Sequence, residues 1–383
     1  MKSTSYRISP RPPIHYSPAR KTPILRPVMI IRPRILSGWR LWAGLPSLSG
    51  LALLAAGCAS TPMTPSHTPP SVSSPSVDQV VRIQIMEGNR KQIIALRLED
   101  YIVGSVLAEA ALGGLSADAV TNIARLQAVL ARTYAVANLG RHRGEEFDLC
   151  SDTHCQVYRP PQRYPARLQM IAKAAAVETR GVIITYGGRP IQALFHSDCG
   201  GHTSNAGIVW GGPTPPYLLA VLDPAKDAHR EWKFDISIDE LRNALNLDNR
   251  TRVGAKLDRI DVVQRDIAGR AERVIIDGEF APMVRGEELR AVITSSFGAR
   301  TVRSTRFEVD LDGKHFKFTG SGFGHGVGLC QVGAMALANR GEPFHQIIRH
   351  YYAGVRLEQL ERVHWERHRS PVRTSEQTVE YFR

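Results

Sequence analysis

Residues 98–114 read LEDYIVGSVLAEAALGG, and a single acid, Glu109, stands there among Val106, Leu107, Ala108, Ala110, Ala111 and Leu112. At 3.6 residues per turn, a helix through this stretch stacks Ile102, Val106 and Glu109 along one side. That face is apolar except for its acid. A carboxyl partly buried among Ile102, Val106 and Leu112 has its charged form disfavoured, so its pKa rises and it can hold a proton at neutral pH, as a general acid must. Glu99 and Asp100 lie more than two turns away and are placed to cap the start of the helix.

Working outward, residues 81–97 begin with the alternation Val81, Ile83, Ile85 and read as a hairpin turning at Gly88-Asn89. Downstream, Ser116 is an N-cap for an amphipathic helix marked by Ala119, Ile123, Leu126, Leu130, Thr133 and Ala137 and ending near Gly140. Another helix covers Leu168 to Thr179. Strands follow at GVIITY (181–186) and PIQALFHS (190–197), joined at Gly187-Gly188. Residues 232–318 form a mixed segment, with DISIDELRNALN (235–246) helical after its Asp and Ser and a hairpin about Asp312-Gly313. LCQVGAMALANRG (329–341) and PFHQIIRHYYAG (343–354) are two more helices, each stopped by a glycine. Helices and hairpins without a regular strand–helix alternation predict an α+β domain. The remainder, 358–383, carries five Arg against five Glu and reads as a frayed tail.

The chain has 383 residues, 43% hydrophobic and 22% charged, an ordinary globular composition. Its net charge of +13 suggests a nucleic-acid partner, but residues 1–57 hold nine Lys and Arg and no acid, which leaves a net charge of only +4 for the rest. Nucleic acid is therefore not an expected partner. Arg32, Arg34 and Arg40 precede the apolar run 41–57, and residues 54–58, Leu-Ala-Ala-Gly-Cys, resemble the lipobox of bacterial lipoproteins, in which cleavage leaves a lipidated Cys58 at the new N-terminus. A retained signal anchor is the alternative, disfavoured by the short run and by Pro46; Met29 is an alternative start. Residues 58–80 are a disordered tether rich in Pro, Ser and Thr. An exported lipoprotein of the periplasm or cell envelope, held to the membrane at Cys58, is expected. Its other cysteines, Cys150, Cys155, Cys199 and Cys330, then lie where disulfides are permitted and metal sites remain open.

Seven blocks occur in order: LEDYIVGSVLAEA, LQAVLARTYAVAN, DTHCQVY, FHSDCGGHTSNAGIVWGG, PYLLAVLD, SSFGARTVRSTRFEV and GSGFGHGVGLCQVGAMALANRG. Together they resemble the signature of the SpoIID/LytB family from about Val81 to about Leu357, most of the chain after the tether, which implies a single domain over 81–357. The resemblance implies a SpoIID-like domain acting on peptidoglycan, either as a lytic transglycosylase of peptide-stripped glycan strands or as an enhancer of a cell-wall amidase. It makes Glu109 the catalytic acid. Glu109 would protonate the glycosidic oxygen between MurNAc and GlcNAc and then, as carboxylate, take the proton of the 6-hydroxyl as the 1,6-anhydro ring closes. The second carboxylate of an ordinary glycosidase is dispensable with such an internal nucleophile.

The resemblance also implies a Zn²⁺ site near the acid, with His142, Cys150 and Cys155 as ligands and His154 as a fourth. Two thiolates with imidazoles suit tetrahedral zinc. The spacing is not that of a standard finger, and a disulfide among Cys150, Cys155 and Cys199, or Cys199 as a third thiolate, is equally open. A zinc hydrolase would be a third class of activity, disfavoured if four side chains close the ligand set. For the glycan, the family pattern points to Gln127, Arg132, His196, Ser197, His202, His325 and Gln331. Arg132 either meets muramic-acid carboxylates or pairs with a buried acid. Trp210 and Tyr217 either stack on sugars or pack in the core. Consecutive residues of a strand face opposite sides, so His196, Ser197 and Asp198 do not make a triad. The glycines at 320, 322, 324, 326 and 328 do not match a dinucleotide loop and are expected to let backbone approach a sugar.

Overall fold

The structure, a computed structural model, describes residues 76–363 apart from 77, 89, 111 and 226–228. The lipobox with Cys58 and most of the tether lie outside the described residues. Among those described, no helix is long and apolar enough to cross a membrane.

Strands β1 (Val80–Glu87) and β2 (Arg90–Arg97) form the expected antiparallel hairpin, with Glu87 opposite Arg90. Helix α1 (Leu98–Glu109) leaves β2 directly, and α2 (Ala117–Asn138) follows, its N-cap Ser116 Oγ accepting the Ala119 N–H at 3.2 Å. β3 (Leu149–Cys150) adds to β1 in parallel. After α3 (Ala166–Glu178) comes the hairpin of β4 (Val182–Tyr186) and β5 (Arg189–Pro190).

PIQALFHS is not one strand. Past β5 the Leu194 N–H turns back onto the Gln192 carbonyl at 2.8 Å, and pairing resumes only at β6 (Phe195–His196). Next are α4 (Ala206–Trp210), β7 (Glu231–Ser237) and α5 (Ile238–Leu245). Residues 235–237 thus end a strand, and Ser237 caps the helix in a reciprocal capping box with Glu240. A meander of β8 (Leu257–Arg265), β9 (Ala271–Gly278) and β10 (Met283–Arg285) leads into α6 (Gly286–Phe297). The later hairpin, β11 (Phe307–Asp312) and β12 (His315–Ser321), turns at Gly313-Lys314, one residue beyond expectation, because Asp312 pairs with His315.

β13 (Leu329–Cys330) pairs with β6 in parallel, and α7 (Gln331–Asn339) and α8 (Phe344–Tyr351) follow. The last strand, β14 (Arg356–Gln359), lies antiparallel to β4, and Leu360 and Val363 are buried behind it. The domain therefore continues to Val363; the tail expected from 358 begins with residues that complete a sheet. The architecture is α+β, with eight α-helices among the described residues and mostly antiparallel pairings.

Helix α2 is the centre. Ala124, Ala128, Ala131 and Ala135, spaced by three and four, belong to the core shared with α1 and α3, while Ala119, Ile123, Leu126 and Leu130 belong to a second core with β4, α7 and α8. Two buried stripes replace the single one expected, and the alanines let α1 and α3 approach closely. A third core, with Trp232, Phe307, Phe316 and Phe318 against Val274, Leu289 and Ile293, holds residues 231–321 together.

Candidate active site

Glu109 is the last residue of α1 and is half-buried. Its Oε1 accepts the Val157 N–H at 2.8 Å, and no described residue occupies Oε2. Burial raises its pKa from the usual carboxylate value; the Val157 hydrogen bond and the charge of Arg159 oppose that rise without cancelling it. The carbonyl of Glu109 is held from the other end of the chain, by Gln331 Nε2 at 2.9 Å. Beside it Ala110, Ile123, Leu126, Gln127, Leu329 and Gln331 line a small hollow. Gln127 is buried there with Nε2 unpartnered, so of the polar residues expected at the glycan, Gln127 and Gln331 are those the fold brings to the acid.

Val157 belongs to a segment laid along α1. Tyr101 donates its hydroxyl to Gln156 Oε1 at 3.1 Å, the rings of Tyr101 and Tyr158 stack at 5.7 Å, and Gly104 provides the space, since a Cβ there would stand 2.2 Å from Tyr158 Cε2. Two residues before Val157 is Cys155. Its sulfur, that of Cys150 and ring nitrogens of His142 and His154 lie within 4.8 Å of one another. His142 Nε2 is 3.3 Å from Cys155 Sγ and His154 Nδ1 is 3.4 Å from Cys150 Sγ, while Glu145 Oε1 accepts from His142 Nδ1 at 2.8 Å and orients that ring. The hydrogen bond from Cys150 to Cys155 lowers the pKa of the acceptor thiol and raises that of the donor. Two thiols, two imidazoles and a carboxylate behind one of them suit a tetrahedral Zn²⁺.

Cys199 is not a third member of that cluster. All four described cysteines are free, and Cys199 lies instead with Cys330 and His196. Arg132 also resolves to one of its two readings. Its guanidinium is fully buried and bound bidentately to Glu99 at 2.8 and 2.6 Å, so it pairs with a buried acid and offers nothing to muramic acid. Glu99 thus lies with Asp100 in the first turn of α1, as expected, but makes no capping hydrogen bond and ties α1 to α2 instead.

The histidines of the glycine loop are likewise committed inward. His325 Nε2 donates to the Phe195 carbonyl at 3.0 Å and Nδ1 accepts the Val327 N–H at 3.1 Å; burial pushes its pKa down to about 3. With both nitrogens hydrogen-bonded inside the protein and the ring beside His196 and Trp210, half-buried His325 is held by packing. His196 is buried, with Nδ1 on the Val327 carbonyl. His202 is half-buried, its Nδ1 on the Thr203 carbonyl at 2.7 Å; Ser197 is the exposed member of the group. Tyr217 accepts the Gln192 N–H through its hydroxyl.

The glycines serve the same packing. Gly322, Gly324, Gly326 and Gly328 all have positive φ, and a Cβ on Gly326 would stand 2.4 Å from the guanidinium of Arg270 and one on Gly328 2.2 Å from the Leu194 carbonyl. They admit the protein's own atoms, not a sugar. Arg270, fully buried, donates to the carbonyls of Cys199 and Gly324. Sequence reading also missed a buried charge group: His229 lies between Asp198 (2.6 Å) and Asp223 (3.5 Å), and Tyr351 donates to Asp223. The two carboxylates raise the His229 pKa to about 10. In return, and against the effect of burial, His229 lowers both of theirs. The pattern HSD followed thirty residues later by H was the only signal available for it.

A family model described as Stage II sporulation protein matches residues 86–186, the stretch that holds Glu109, Val157 and the four-donor cluster. A second model, a domain of unknown function, matches 223–328. Among curated relatives, an uncharacterized protein of Brachyspira hyodysenteriae is 30% identical over 273 residues, covering 71% of this chain and 69% of its own. The Stage II sporulation protein D of Bacillus subtilis is 27% identical over 298 residues, covering 73% of this chain and 80% of its own. The chain belongs to the SpoIID/LytB family. The Amidase enhancer of Bacillus subtilis is 24% identical over 280 residues, 61% of this chain but 37% of that protein. The SpoIID/LytB resemblance of the sequence blocks thus coincides with the place where the structure gathers Glu109 and the thiols of Cys150 and Cys155.

Proposed function

We propose that this chain is an exported, lipid-anchored lytic transglycosylase of peptidoglycan glycan strands. The observation that carries the reading is Glu109: a half-buried carboxyl, raised in pKa by burial, pinned through one oxygen by a main-chain N–H and open at the other. Protonated Glu109 gives its proton to the glycosidic oxygen as the bond from MurNAc C1 to that oxygen breaks. The 6-hydroxyl oxygen then bonds to C1, and the carboxylate takes the hydroxyl proton, which restores the acid and leaves a 1,6-anhydro end. No water is consumed. The Val157 N–H favours the carboxylate formed midway, so the same contact that limits the rise in pKa lowers the barrier to giving up the proton.

Zn²⁺ is assigned to His142, Cys150, His154 and Cys155, where it would supply a cross-link and no reacting group. Four donors make a closed structural set. The cross-link would fix Cys155–Val157 and, through the Val157 N–H, the carboxylate of Glu109. Export and lipidation at Cys58 follow from the basic and apolar stretches that end in the lipobox-like motif.

The match to a protein named Amidase enhancer supports a second reading, a glycan-binding partner that does not cut. Peptide-free glycan strands incubated with the purified full chain separate the two when the product ends are weighed. Anhydro-muramic ends are expected; reducing ends would mean a hydrolase, and intact strands a binder. Glu109→Gln is expected to lose roughly 10² to 10⁴-fold of the cutting rate.

A further inference from the structure

We propose that Cys199, Cys330 and His196 form a second, fully buried site for a thiophilic divalent cation such as Zn²⁺, separate from the cluster around Cys155. The two sulfurs and a ring nitrogen lie within 4.8 Å of one another, and all three residues are buried. Zinc–sulfur bonds near 2.3 Å and zinc–nitrogen bonds near 2.0 Å, about tetrahedral, bring their donor atoms to separations inside that limit.

Three further observations point to a ligand. His196 Nδ1 hydrogen-bonds the Val327 carbonyl at 3.2 Å, which puts the proton on Nδ1 and a lone pair on Nε2; Nε2 is buried with no partner. A backbone carbonyl behind Nδ1 is how proteins orient metal-ligating imidazoles. Each sulfur also receives a main-chain donor: Cys199 N–H to Cys330 Sγ at 3.3 Å, and Gly201 N–H to Cys199 Sγ at 3.3 Å. Such donors favour thiolates, against burial, which by itself pushes the Cys330 thiol up. Finally, neither cysteine is joined in a disulfide, which leaves both sulfurs to bind a cation. A disulfide between the two cysteines would satisfy the sulfurs alone and leave the imidazole nitrogen stranded, whereas a cation uses all three.

The site would join the Asp198–Gly201 turn to the end of β13, the residue before Gln331. Since Gln331 holds the Glu109 carbonyl, the cation would also brace the far side of the candidate active site. Nothing in this inference depends on what Glu109 does.

The test is zinc stoichiometry on the purified full chain carrying Cys150→Ser and Cys155→Ser, which removes the first cluster and leaves the second whole. One zinc per chain is expected to survive dialysis, and cobalt in its place is expected to give thiolate-to-metal absorption in the near ultraviolet. Adding Cys199→Ser and Cys330→Ser should abolish both. If those substitutions prevent folding, His196→Gln in the same background should weaken the metal by at least about tenfold with the thiolate absorption retained. A first variant without zinc, zinc that persists after Cys199 and Cys330 are replaced, or a Cys199–Cys330 disulfide in the peptide map of the unreduced wild-type chain would overturn the proposal.

Discussion

Replacing Arg132 by Met tests whether that cation belongs to the glycan or to the core. Its guanidinium is fully buried, bidentate on Glu99, and also reaches the carbonyls of Ala176 and Val182 at 3.3 and 3.2 Å. Methionine fills similar space but strands a carboxylate that is only 18% exposed. Breaking a buried pair from one side costs about 3–5 kcal/mol, and the residual exposure of Glu99 places the effect toward the lower end. For a domain of this size that is a fall of roughly 6–15 °C in Tm. The assay is thermal denaturation alongside glycan binding by the fraction still folded. Arg132→Met with Glu99→Leu removes both charges and should recover most of the loss, a coupling that a double-mutant cycle measures. An unchanged Tm with weakened glycan binding would refute the structural assignment.

Cutting should fall as pH rises through the elevated pKa of Glu109, and chelation or Cys155→Ser should move that limb to higher pH, because loosening Val157 removes a donor that favours the carboxylate; kcat/KM against pH reads both. His229→Leu leaves Asp198 and Asp223 unpaired and should cost about 3–5 kcal/mol, seen as a shift in urea midpoint. In the wild type, His229 is raised from 6.5 to about 10, so its contribution is complete below 6.5 and is lost as pH rises from there through about 10, where midpoints should decline. Gly104→Ala places a Cβ 2.8 Å from the Arg159 carbonyl as well as against Tyr158, and should destabilise by about 1–3 kcal/mol while slowing cutting, measured by Tm and product yield.

Helices α2, α7 and α8 were legible because each combines a 3.6-residue period with a cap or a following glycine, α1 and α3 from their apolar spacing, and the two tight hairpins before residue 190 because glycine marked their turns. Pairings between distant segments were not legible. β13 beside β6 and β14 beside β4 are short strands whose partners are set by the packing of α2, a property of the whole chain. Glu109 could be found because an acid in an apolar run contradicts its surroundings. Val157 could not, since its contribution is a main-chain N–H that any residue carries. Arg132 stayed open between two readings, and His325 read as a sugar contact, for one reason: polar residues satisfied inside a fold look, in sequence, the same as polar residues aimed at a ligand.

The setting of Glu109 is drawn from positions 48 and 222 residues away, Val157 and Gln331. A ribosome must therefore finish nearly the whole polypeptide, and the C-terminal helices must dock, before the acid acquires its environment. For a protein that would cut the casing of its own cell, such late arming is a safeguard against premature damage that requires no inhibitor and no removable propeptide.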